Sequence, residues 1–170
     1  PNAYTLSSVL TACGRNRIPA FRVGKQAHTQ TFLAGLFGNK IVQTTLLDMY
    51  GKCGSPDDAR SVFDQMVDKD IVAWTAMISG ICRSRRANEA LELFSRMQKD
   101  GVEPNQVTFV GVLNACSHAG LVHEGRKYFE MMTNIHGISP STEHFACMVD
   151  ILGRAGHIEE AYKLITDTWV

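Results

Sequence analysis

Residues 71–105 read IVAWTAMISGICRSRRANEALELFSRMQKDGVEPN, and this stretch decides the fold. Trp74, Met77, Ile78 and Ile81 follow the i, i+3, i+4, i+7 spacing of one helical face. Residues Cys82 to Ala87 are polar and basic and read as a turn. Ala90, Leu93, Phe94 and Met97 then repeat the helical spacing. Asp100-Gly101 closes the second helix, because glycine accepts a left-handed closing conformation without steric cost. Pro104 restricts the residue before it and enforces the break. The unit is a pair of helices joined by a short turn.

The same pattern recurs along the chain. Phe63, Phe94 and Phe129 stand 31 and 35 residues apart, and Met66, Met97 and Met132 keep those steps. Ala59, Ala90, Gly125 and Ala161 extend the series, each preceded by an acidic residue: Asp58, Glu89, Glu124 and Glu160. Gly54, Gly120 and Gly156 mark a turn in three units. Counting from Ile71 sets the other starts at Ala3, Lys40, Gln106 and Thr142. The repeats are then 3–39, 40–70, 71–105, 106–141 and a clipped 142–170 within one solenoid spanning 1–170. The first repeat needs a two-residue insertion between Arg15 and Pro19. In the second, Ser55 reads as an N-cap, Pro56 as the first helical residue and Asp58 as the partner in a capping box. One hairpin cannot bury its apolar faces alone, so neighbours must stack. Trp74, Phe94, Phe129 and Met97 are therefore expected in the core. The small residues of the Ala59 column are expected where helix backbones approach closely.

Composition narrows the function. The 170 residues are 45% hydrophobic, and Lys plus Arg balance Asp plus Glu at 17 each. No apolar run approaches the roughly 18–20 residues needed to cross a membrane. The start, PNAYTLSSVLTACG, lacks the charged and apolar segments of a secretory signal. Five cysteines (Cys13, Cys53, Cys82, Cys116 and Cys147) form no C-x-x-C pair, so neither a disulfide framework nor a zinc site is expected. They read as small buried or half-buried thiols. His28, His136, His144 and His157 are scattered across repeats without an evident nucleophile, base and orienting group. The chain reads as non-catalytic, with no metal and no cofactor.

Zero net charge argues against strong non-specific nucleic-acid binding, so any such contact must rest on where the charges sit. The thirteenth place of successive repeats holds Arg15, Lys52, Arg83, His118 and Arg154. These fall near the end of each first helix, where positive charge suits the helix dipole. Stacking would align them into a stripe able to follow a phosphate backbone.

The stretches VFDQMVDKDIVAWTAMISG, ALELFSRMQKDGVEPNQVTFVGVLNACSHAGLVHEGRKYF and HFACMVDILGRAGHIEEAYKLI resemble plant pentatricopeptide repeat proteins. The uneven repeat lengths resemble the PLS subclass, which mixes long, short and standard units and consists largely of organellar RNA editing factors. The resemblance implies an all-α, right-handed superhelix that binds single-stranded RNA, one base per repeat, as the recognition part of a C-to-U editing factor in a mitochondrion or chloroplast. It implies base readout by the fifth and last residues of a repeat: Thr44 with Asp70, Thr75 with Asn105, and Ser7 with Asn39. Thr with Asp resembles guanine readout, and Thr with Asn adenine readout. The second residue wedges between bases, here Tyr4, Ile41, Val72 and Val107, whereas Glu143 departs from the pattern. Val110 with Ser141 is a weak reader, and the long repeats resemble docking sites for editing cofactor proteins.

Editing factors often end in a zinc deaminase domain. His157 and Glu159 have the H-x-E spacing, but no cysteine pair follows, so deamination is not expected here. Pro1-Asn2 matches Pro104-Asn105, and Val170 falls before the fifth repeat closes, so the chain reads as a piece of a longer one, its targeting segment outside. The exposed end repeats are expected to offer apolar surface for pairing between copies. The alternative function is a protein-interaction scaffold, docking editing cofactors or self-associating, with little RNA affinity.

Overall fold

The computed structural model describes residues 2–16 and 20–168. Among these there are ten helices and no strand. The expected insertion lies partly at 17–19 and the clipped end reaches 169–170, outside the described residues. The contacts divide the chain into two compact units, Pro1–Ser84 and Arg85–Val170.

The first unit contains α1 (Ala3–Asn16), α2 (Phe21–Leu33), α3 (Lys40–Lys52), α4 (Pro56–Gln65) and α5 (Ile71–Arg83). The second contains α6 (Ala87–Lys99), α7 (Gln106–Ala119), α8 (Val122–Asn134), α9 (Thr142–Arg154) and α10 (Ile158–Thr168). All five repeat starts read from the sequence coincide with the first residue of an odd-numbered helix. Polar side chains cap four of those starts. Asn2 accepts from the Thr5 N–H group, Asn39 from Ile41 and Val42, Asp70 from Ala73, and Asn105 from Thr108, filling donors that a helix leaves unpaired.

In the first unit, α1 packs on α3 and α3 on α5, with α2 packed on α1 and α3, and α4 packed on α3 and α5. The α3–α5 crossing is close because glycines face each other: a Cβ on Gly51 would stand 2.8 Å from the Gly80 Cα. In the second unit, α7 packs on α9, and a Cβ on Gly125 would stand 2.8 Å from Ile151 Cδ1. Ala59, Ala90, Gly125 and Ala161 are buried, but the close backbone approach of Gly51 and Gly80 falls outside that column.

An aromatic contact recurs between a second helix and the first helix that follows. Phe63 meets Trp74 edge-on (centroids 4.8 Å), Phe94 meets Phe109 (5.5 Å) and Phe129 meets Phe145 (5.6 Å). Burying such a side chain contributes about 1.5–3 kcal/mol, with roughly 0.5–1.5 more from the ring pair. Trp74, Phe94 and Met97 are fully buried as expected, while Phe129 is only half-buried.

Two local expectations change. The third repeat's turn is shorter than Cys82 to Ala87, because Cys82 and Arg83 continue α5 and Ala87 opens α6. Arg85 takes a left-handed φ of 58° in the remaining turn. Ser55 is the N-cap residue and Pro56 opens α4, but no capping box forms; the Ser55 hydroxyl donates to Asp58 Oδ2 instead (2.7 Å).

Candidate RNA-binding face

Helical periodicity puts the second, fifth, ninth and thirteenth residues of a first helix on one face. On α1 these are Tyr4, Ser7, Thr11 and Arg15. All four line one open depression of about 700 Å³, together with Ile41 and Thr45 from α3. The groove therefore collects residues expected as a base wedge (Tyr4, Ile41), a base reader (Ser7) and a phosphate contact (Arg15). The Ser7 Oγ is buried and has no hydrogen-bond partner among the described residues. Such an atom is costly to leave unpaired.

The wedge column is exposed throughout: Tyr4 is 80% exposed, Ile41 66%, Val72 56% and Val107 57%. Apolar side chains of this size, repeated at one register position, are surface that the fold leaves uncovered. Glu143, which occupies this place on α9, is exposed as well.

The proposed readers differ in access. Thr44 is half-buried and Asp70 exposed, whereas Thr75 is 9% exposed and belongs to the packed interior. The last residues of the repeats are helix caps, and capping leaves a defined remainder. Asn39 and Asn105 use Oδ1 as the capping acceptor, so the amide nitrogen remains as a donor. Asp70 uses Oδ1 toward Ala73 N (3.0 Å), so Oδ2 remains as an acceptor. Val110 packs against the core of the second unit, and the Ser141 hydroxyl lies 2.7 Å from His144 Nδ1.

The cationic column also divides. Arg15 and Arg83 are exposed and make no ion pair among the described residues. Lys52 Nζ lies 2.6 Å from Asp48 Oδ2, and Arg154 Nε 2.8 Å from Asp150 Oδ1. Asp150 also accepts from the Ser117 hydroxyl, and that bond, with Arg154 and His118, holds its carboxyl below the usual range. His118 is exposed. In the first unit the column is a continuous row: the Lys52 stem lies over Gly14 and the Arg83 guanidinium reaches Gly51.

Sequence reasoning missed Thr11, Thr45 and Asp48. The period-3.6 face of α1 and α3, and the i, i+4 spacing of Asp48 and Lys52, were the available signals. His157 and Glu159 are exposed around the start of α10, and no group of three potential metal ligands exists among the described residues. The five cysteines form no disulfide among the described residues; four are buried and Cys53 is half-buried. No described helix is long and apolar enough to cross a membrane.

Models of the PPR repeat family match residues 69–118, and those of the PPR repeat match 44–71, 107–135 and 143–167. The chain belongs to the PPR repeat family. A pentatricopeptide repeat-containing protein of Arabidopsis thaliana is 47% identical over 167 residues, 98% of this chain and 24% of its own length. A mitochondrial pentatricopeptide repeat-containing protein of the same plant is 49% identical over 164 residues, 96% of this chain and 25% of its own. The chain thus spans about a quarter of these relatives. Among solved structures, the pentatricopeptide repeat protein PPR10 in complex with an 18-nt psaJ RNA element matches 96% of this chain and 24% of its own, with TM-score 0.82 and 25% identity. The PPR domain of Arabidopsis thaliana protein-only RNase P 1, in complex with tRNA, matches 95% of this chain and 81% of its own at TM-score 0.68 and 17% identity. The all-α repeat fold of the PPR chain is the one these structures share.

Proposed function

We propose that the chain binds single-stranded RNA on the faces that the odd-numbered helices present within each unit, one base per repeat. The observation that carries this reading is the groove that Tyr4, Ser7, Arg15 and Ile41 line together. Single strands offer splayed bases that stack on side chains and are read on their edges, while cations follow the phosphates. The exposed second-place residues supply the wedges.

Capping chemistry rationalises the code. Asp70 keeps an acceptor, which suits the adjacent N–H donors on the Watson–Crick edge of guanine; Thr44 adds a hydroxyl beside it. Asn105 keeps a donor, which suits the N1 acceptor of adenine. With RNA running 5′ to 3′ along the chain, these repeats prefer guanine followed by adenine. The buried Thr75 leaves the second preference resting mainly on Asn105. Ser7 with Asn39 forms the reader of the first repeat.

The repeat lengths extend this to a role as the recognition tract of a PLS-type editing factor in an organelle. The mitochondrial relative supports the compartment, and the half-buried Val110 supports a docking role for the long repeats. A scaffold with little RNA affinity is favoured by one observation, the internal neutralisation of Lys52 and Arg154. Competition binding with labelled single-stranded RNAs at several salt concentrations decides between them. Affinity that depends on the guanine–adenine step and falls with salt supports RNA readout; no binding at low salt supports the scaffold.

A further inference from the structure

The ninth place of the first helices carries Thr11, Asp48, Ser79, Asn114 and Asp150. On α1 that place lines the groove, between the base-reading Ser7 and the cationic Arg15. By repeat register, Asp48 holds the equivalent position on α3, between Thr44 and Lys52. We propose that Asp48 and Asp150 are built-in competitors for phosphate, neutralising Lys52 and Arg154 so that the grip on the RNA backbone falls on Arg15 and Arg83. This rests on the RNA reading given above and adds which repeats hold the backbone.

The geometry supports an asymmetry between repeats. Lys52 and Asp48 are joined at 2.6 Å one helical turn apart, and Arg154 and Asp150 at 2.8 Å in the same register. Where the ninth place is Thr11 or Ser79, the cation four residues later has no carboxylate beside it on its own helix. A phosphate approaching Lys52 must displace Asp48 and then lie within a few ångströms of its charge. Two unit charges about 4 Å apart repel, even across bulk water, by an amount worth roughly five-fold in affinity. An i, i+4 pair of this kind adds little to helix stability, so its removal leaves the fold intact. The thirteenth-place cations of the repeats that begin at Lys40 and Thr142 thus meet the RNA already neutralised.

The test is a salt series of fluorescence anisotropy titrations, using a labelled single-stranded RNA oligonucleotide that contains a guanine–adenine step. Asp48→Ser, which installs the third repeat's residue, is expected to bind about five-fold tighter at low salt. Its log K against log salt should steepen by about 0.7, the increment for one more phosphate contact on a single strand. Lys52→Ala in the Asp48→Ser background should abolish both gains, whereas Lys52→Ala alone should alter the slope less than Arg83→Ala does. Asp48→Asn, nearly isosteric, should reproduce the gain and separates charge from shape. If Arg83→Ala flattens the slope but neither Asp48 variant changes affinity or slope, the competitor role is wrong and the RNA reading stands. If the unmodified chain binds no RNA at low salt, both fail.

Discussion

Helices α1 and α3 present the same four places with different chemistry. α1 offers Tyr4, Ser7, Thr11 and Arg15; α3 offers Ile41, Thr44, Asp48 and Lys52. The helices pack side by side, so backbone register delivers one row from both. Side chains then decide what each row does. Tyr4 has a π-face on which a base can stack, and Arg15 keeps its full charge. Ile41 supplies only an apolar edge, and Lys52 is cancelled by Asp48. On the proposed RNA reading, the stack separates the tasks of stacking, reading and gripping between repeats rather than performing all of them in each.

The largest expected effect tests the packing beneath the two rows. Gly51→Val should destabilise the chain by about 1–3 kcal/mol, seen as a lower urea midpoint, because α3 and α5 touch there by backbone. Gly14→Ala meets the flexible Lys52 stem at 3.3 Å and should be neutral or up to about 1 kcal/mol stabilising through helix propensity. Equal losses at both sites would erase this distinction between the junctions.

Next in size are the base contacts. Tyr4→Ala should weaken RNA binding by about 1–3 kcal/mol, the range for a lost aromatic stack, and Ile41→Ala by less. Isothermal titration with one oligonucleotide ranks them, and a reversed order would contradict stacking at Tyr4. Asp70→Asn retains a good cap while replacing the remaining acceptor with a donor. It should move one position from guanine toward adenine by about 1–2 kcal/mol, within the range for a good base contact, at unchanged salt slope. A uniform loss over all four bases would show that Asp70 only caps α5.

The smallest effect separates the cations. Arg15→Ala should flatten the salt slope by about 0.7 and weaken all RNAs alike, while Lys52→Ala changes it less. Matching slopes for the two variants would merge the rows again.

Much of this was legible in the sequence, for identifiable reasons. The Phe63, Phe94 and Phe129 column fixes repeat register, and register alone places the starts of α1, α3, α5, α7 and α9. Exposure of Tyr4, Ile41, Val72 and Val107 follows from the same count. Other features depend on packing between helices. Thr44 and Thr75 occupy one register position, yet only Thr75 is buried, because accessibility depends on the neighbours and not on the place in the repeat. Ser55 turns to Asp58 rather than to the backbone, where Lys25 also reaches that carboxylate (3.1 Å). The pairing of Lys52 was visible as an i, i+4 spacing, but a column of cations read alone hides the acids one turn away.

Photo-crosslinking of a single-stranded RNA to the chain, with the modified residues located by mass spectrometry, tests the binding face most directly. The account predicts crosslinks on α1 and α3, with Tyr4 foremost. Crosslinks concentrated instead at Phe32 of α2 or Tyr162 of α10, both exposed aromatics on even-numbered helices, would contradict it.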